Sequence, residues 1–359
     1  MLYPVYALLF ADAGLSTSQI SALFAIWSVV SFVFEVPSGA LADMWSRRGL
    51  YAIGELLTAA GYALWLIWPH FPGFALGFVL WGLGGALASG SLEALVYDQV
   101  GDDYAKIIGR AGTIGILATL AATLLAAPLL SAGGYRLVGI ASIAVVTLGG
   151  LLALRLPDRR TKAIDRTGEQ VDDRKTGTYR ELLTAGLRES VRDRSTLLAV
   201  AIAALLPGFT ALDEYLPLLA RDLGAPTAGV PVIYALVALA MAAGSALATR
   251  RIASMPLIVA TSAALIAGGA LIPHRAGMIP VAVAFGLLQY AMIRAETRLQ
   301  EAITGPARST VLSVSGFGAE VFAVLLYAGF GLPLALPLLF ALAAIPLLLT
   351  AALEIARRG

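Results

Sequence analysis

The chain is a succession of apolar runs near twenty residues long, separated by short polar breaks. A hydrocarbon core about 30 Å thick takes roughly 20 apolar residues of helix, because a helix satisfies its own backbone hydrogen bonds there. Such runs fall at 18–40, 50–68, 73–97, 109–132, 136–155, 197–219, 228–249, 255–273, 277–297, 308–330 and 332–355. These eleven stretches predict an all-α, polytopic membrane protein. Leu2 to Ala13 is too short to cross, at about 18 Å by the helix rise. It reads as the back half of a twelfth span, with the numbering starting inside that helix. Hydrophobic residues make up 59% of the chain and charged residues only 13%, against about 25% charged in a soluble domain. A soluble enzyme is excluded.

Orientation follows from basic residues in the short loops. Arg47, Arg48, Lys106, Arg110, Arg250 and Arg251 share one side with Arg294, Arg298, Arg308, Arg357 and Arg358. The opposite side carries Arg136, Arg221 and Arg275. The richer side is read as cytoplasmic, with both chain ends on it, in the cell (inner) membrane. The net charge of +2 is scattered through these breaks and gives no reason to expect a nucleic-acid partner. Cysteine is absent, which excludes disulfides and thiolate metal sites.

The longest polar stretch, Pro157 to Arg194, divides the chain into a six-helix unit at 1–155, a central cytoplasmic loop at 156–196 and a second six-helix unit at 197–359. Within the loop, Tyr179, Leu182, Leu183, Leu187 and Val191 fall near helical spacing. They read either as an amphipathic helix on the membrane surface or as a solvated linker. A shift of 203 residues brings Arg47-Arg48 onto Arg250-Arg251 and Glu93 onto Glu296, and a shift of 204 brings His70 onto His274. Both suit a chain built from two similar units.

The end of the second span and its loop read Gly39-Ala40-Leu41-Ala42-Asp43-Met44-Trp45-Ser46-Arg47-Arg48. This resembles the G-x-L-A-D-x-x-G-R-R signature of the major facilitator superfamily, with Ser46 in place of the usual glycine. The resemblance covers the whole chain and implies twelve spans in two bundles, transport by alternating access, no cofactor and no enzymatic activity. It also implies that Asp43 engages the start of the eleventh span, here Gly305-Pro306-Ala307-Arg308, and so holds a cytoplasmic gate shut. Gly39 lets a neighbouring helix approach closely.

Ionisable residues inside spans are costly and are functional candidates. By the helix rise, Glu35 lies about 25 Å and Glu93 about 28 Å along their spans, and Arg294 and Glu296 about 24 and 27 Å along theirs. These groups cluster near the cytoplasmic ends, within reach of Arg48, Arg110, Arg298 or Arg308, and are read as gate salt bridges; Glu55 reads the same way. Glu320 differs: it lies about 16 Å into its span, near the midplane. A carboxyl there should be protonated part of the time, as proton coupling requires. Asp213 and Glu214 follow Pro207-Gly208, which should kink the seventh span. One of them can face a central cavity, and capping of an outer gate is the rival role.

In the superfamily, spans 1, 4, 7 and 10 line the cavity, so the resemblance makes Tyr6, Trp81, Tyr215, Gln289 and Tyr290 candidate wall residues. No Walker loop, H-E-x-x-H or G-x-S-x-G occurs. The fifth span lacks the G-P-x-x-G-G pattern of known drug antiporters; Ala126-Ala127-Pro128 is a faint echo. The expected activity is proton-coupled efflux of a neutral or cationic lipophilic small molecule by a monomer in the lipid bilayer. An uptake symporter and a non-transporting membrane sensor or scaffold stay open.

Overall fold

The computed structural model describes residues 1–100, 104–156, 194–303 and 308–357. Within its helices the side chains of 36, 39–40, 42–44, 90, 93–94, 97–100, 104–106, 108–109 and 308–310 are left aside. The proposed surface helix at Tyr179–Val191 and the Gly305-Pro306-Ala307 turn lie outside the described residues, as do the side chains of Gly39, Asp43, Glu93 and Arg308.

Every described regular element is helical. In chain order they are α1 (Tyr6–Asp12), α2 (Thr17–Met44), α3 (Arg47–Ile67), α4 (Phe71–Val100), α5 (Tyr104–Ala153), α6 (Arg194–Gly208), α7 (Leu216–Asp222), α8 (Val230–Leu247), α9 (Met255–Leu271), α10 (Met278–Ala302), α11 (Arg308–Phe330) and α12 (Leu336–Ala356). Among the described residues, nine stretches are long and apolar enough to cross a membrane, and Met255–Leu271 is a shorter apolar helix. One of the nine runs for 44 residues and is broken at Gly134, whose φ of 60° needs a residue without Cβ. Counted as two passes, it brings the full crossings to ten, and the shorter Met255–Leu271 helix completes the eleven expected spans.

Two departures from the expected spans have local causes. Several helices outrun the apolar stretch: α2 continues to Met44, four residues past the expected edge. The motif turn that ends it is capped by Ser46, whose Oγ accepts the Gly49 N–H at 3.2 Å and starts α3. Serine at the glycine position of the motif thus supplies a helix cap. The seventh span is not one kinked helix. It runs as α6, then a 3₁₀ turn over Phe209–Tyr215, then α7. Pro207 and Pro217 each lack the N–H that an α-helix would use, and the Thr210 hydroxyl donates to the Pro207 carbonyl at 2.7 Å.

The chain divides into two compact units, Met1–Val171 and Asp172–Gly359. In the first, α1 is buried among α2, α4 and α5, with Val5, Leu8 and Phe10 fully enclosed and the Leu2 amide donating to Ser142 Oγ at 2.9 Å. The Tyr135 hydroxyl donates to the Asp12 carboxylate at 2.5 Å, tying α1 to the second limb of α5. The bond is at the surface, so Tyr135→Phe should cost no more than about 1 kcal/mol. That is a small fall in the thermal midpoint, readable by scanning fluorimetry. In the second unit, α8 and α10 meet at Gly244 and Gly286, where the Gly286 carbonyl occupies the space a Gly244 Cβ would need. Backbone contact of this kind lets helices pack closely without a hydrophobic driving force.

Candidate functional site

The 3₁₀ turn in the second unit presents Asp213, Glu214 and Tyr215 in succession. With three residues per turn, neighbours project about 120° apart. Glu214 therefore points inward, 7% exposed, and Asp213 stays half-buried. Gly208, just before the turn, abuts Phe322 and the Ala319 carbonyl of α11, which draws that helix against the break. Asp213 accepts the Tyr234 hydroxyl of α8 at 3.3 Å. Tyr327 of α11 is buried, its ring 6.2 Å from that of Tyr215 and its hydroxyl within electrostatic reach of Glu214, Asp213 and Glu320. Glu320 itself is exposed within its unit, two turns before Tyr327 on the same helix.

Three sequence candidates, Asp213, Glu214 and Tyr215, are thus brought near one phenol, while Glu320 lies two turns away along α11. Tyr234 and Tyr327 were missed by sequence reasoning. Each stands about one turn from the end of an apolar helix, an ordinary place for a tyrosine in a membrane protein, and nothing near it in sequence announces the carboxylates. Asp213, Glu214 and the two phenols form a largely buried polar group, with the exposed Glu320 farther along α11. No group of three or more His, Asp or Glu able to hold a metal occurs among the described residues.

The expected wall residues divide. Gln289 lines a narrow crevice of about 10 Å³ with Leu206, Phe209, Thr210, Met241 and Phe285. Tyr290 does not face a cavity: it is 2% exposed and its hydroxyl donates to the Arg250 carbonyl at 3.0 Å, fixing the α8–α9 loop. Tyr215 is fully buried against Phe330, centroids 4.4 Å apart, so it packs the cluster and lines no opening. In the first unit Tyr6 is also a packing residue, 2% exposed and ringed by Phe10, Phe24, Trp65, Phe78 and Trp81. Trp81 keeps part of its ring exposed.

Of the expected gate charges, Asp43, Glu93 and Arg308 have side chains outside the described residues. Glu35, Arg110 and Glu296 are exposed, and Arg294 is half-buried. Arg48 donates to the Leu156 carbonyl at 3.0 Å, and Arg47 begins α3 beside it. Glu55 receives the Tyr51 hydroxyl one turn before it, not an arginine. Arg298 pairs with Glu354 of α12: one guanidinium nitrogen lies 3.1 Å from both carboxylate oxygens, and Arg357 is 3.9 Å away. Glu354, 1% exposed, was not singled out from the sequence.

A sequence model of the Major Facilitator Superfamily matches residues 1–344. Over 134 residues the chain is 34% identical to an "Uncharacterized 38 kDa protein in 23S RNA operon" of Thermoproteus tenax. The match covers 37% of this chain and 35% of that protein, so the chain spans about a third of its length. Among solved structures, the nucleoside transporter NupG aligns over 100% of this chain and 94% of its own, with TM-score 0.76 and 12% identity. A bacterial homologue of the human lysosomal transporter Spinster aligns over 99% and 92%, at 0.69 and 15%. A bacterial homologue of the iron transporter ferroportin aligns over 98% and 93%, at 0.71 and 15%. At such identities the likeness is one of fold.

Proposed function

This chain belongs to the Major Facilitator Superfamily, and from that footing we propose that it is a proton-coupled exporter of a neutral or cationic lipophilic small molecule. The superfamily and the multi-pass helical fold make it a membrane transporter of the alternating-access type. What supports proton coupling is the placing of Asp213 and Glu214 beside Tyr327 at the broken seventh span, with Glu320 two turns along α11. A proton taken up there removes a charge that is costly in low dielectric, and its release restores that charge, so titration biases one conformation over the other. The absence of midspan arginine or lysine speaks against an anionic cargo. In this reading the protein works as a monomer in the inner membrane with the Arg47 and Arg250 loops cytoplasmic. Glu35, Gly39, Asp43, Arg47, Arg48, Glu93, Arg110, Arg294, Glu296 and Arg308 then serve the cytoplasmic gate.

The test uses the purified protein in liposomes, with ethidium as probe and an imposed pH gradient. Glu320→Gln and Asp213→Asn should each cut gradient-driven ethidium flux at least tenfold, about 1.4 kcal/mol in transition-state terms. Gradient-driven flux in both variants equal to that of the unaltered protein would refute the coupling assignment.

A further inference from the structure

Tryptophans of membrane proteins concentrate at the two interfaces, where the ring is in hydrocarbon and the N–H in water. Three of the five in this chain obey: Trp45 follows α2, Trp68 follows α3, and Trp65, near the end of α3, donates its N–H to the Phe74 carbonyl at 3.1 Å. Trp27 and Trp81 do not. Each lies ten residues into its helix, after Thr17 of α2 and Phe71 of α4. That is about 15 Å by the helix rise, half the thickness of a bilayer core of about 30 Å. Among the described residues neither indole N–H has a hydrogen-bond partner, and both rings are partly exposed. A polar N–H at that depth is costly unless something satisfies it.

The rings are held in place from behind. Trp27 and Trp81 centroids are 5.5 Å apart at 39°, and Tyr3 stands edge-on to Trp81 at 6.1 Å. Trp81 is stacked on Phe78 at 5.8 Å and braced by Tyr62 at 5.6 Å. One turn past Trp81, a Cβ on Gly85 would meet nothing within 4 Å, so there is room beside the rings. Farther along α2, Ser31 and Glu35 follow Trp27 by four and eight residues, which puts Glu35 about 12 Å closer to the end of the helix. Glu35 is exposed, and no described basic residue pairs with it. Aromatic faces and a carboxylate attract the same kind of ligand, a cation with a flat apolar body.

We propose that Tyr3, Trp27 and Trp81 form a recognition slot in the first unit for a planar aromatic cation, with the gate carboxylate Glu35 drawing the cation from the cytoplasmic end of α2. The slot's role as a cargo site rests on the transport reading above; its binding of such a cation does not. Binding of ethidium to the purified full-length protein, followed by fluorescence anisotropy without any pH gradient, tests it. Trp27→Ala and Trp81→Ala should each weaken binding at least tenfold, Trp81→Phe about threefold because a weaker ring remains, and Glu35→Gln several-fold. The flat anion fluorescein should bind far more weakly than ethidium. Gly268→Ala, in the second unit and with nothing within 4 Å of its new methyl, should bind ethidium as the unaltered protein does, and with no pH gradient applied, loss of coupling and loss of the slot are read separately. Undiminished affinity in both alanine variants overturns the proposal. So does fluorescein binding as tight as ethidium, and so does the lack of ethidium binding by the unaltered protein.

Discussion

Arg298→Ala should lower the stability of the protein by about 3 kcal/mol, the low end of what removing one partner of a buried ion pair costs. The low end applies because Arg298 retains 20% exposure while Glu354 has 1%. The loss comes less from the missing attraction than from the carboxylate left behind. Arg357, 3.9 Å from the same oxygen, is one helical turn along α12 and cannot take over the contacts at 3.1 Å. Replacing both partners, as Arg298→Met with Glu354→Leu, should recover most of the loss, since no charge is then stranded. Thermal unfolding of the three proteins in one detergent checks this. A double variant as unstable as Arg298→Ala would show that the pair positions α10 and α12 by geometry alone.

The second large effect is steric. Gly244→Leu places a side chain where the Gly286 carbonyl lies, and main chain cannot rotate aside as a side chain can. α8 and α10 must separate, losing dispersion contacts along the crossing. A cost of about 3 kcal/mol is expected, the upper end for overpacking. Gly268→Ala, whose new methyl meets nothing within 4 Å, is the matched control and should stay within about 0.5 kcal/mol. Size-exclusion profiles and thermal midpoints separate the two; equal stability would mean the helices can move apart freely at this crossing.

What the sequence makes legible, and what it hides, divides along physical lines. Apolar length reports crossings directly, so the span edges at Gly133-Gly134 and the repeat of basic loops after α2 and α8 are recovered. Helix-breaking residues are equally plain, and Pro207-Gly208 marks the right place, although 3₁₀ winding in place of a kink depends on Pro217 acting with it. Helix rotation is what a nearly uniform apolar pattern withholds. Tyr290 and Gln289 are neighbours, yet one is pinned to the Arg250 carbonyl and the other borders a crevice. Pairing between distant helices is hidden for the same reason: nothing near Glu354 in sequence points to Arg298. Tyr327 escapes notice because an isolated tyrosine in a span acquires meaning only from the carboxylates brought to it.

The winding of Phe209–Tyr215 carries a mechanical implication. Seven residues at about 2.0 Å per residue are about 3.5 Å longer than the same seven in an α-helix at 1.5 Å. Rewinding that segment as an α-helix would draw α7 toward α6 by that amount. Under the proposed function, proton uptake at the carboxyls and that shortening would be one event in one stretch of backbone.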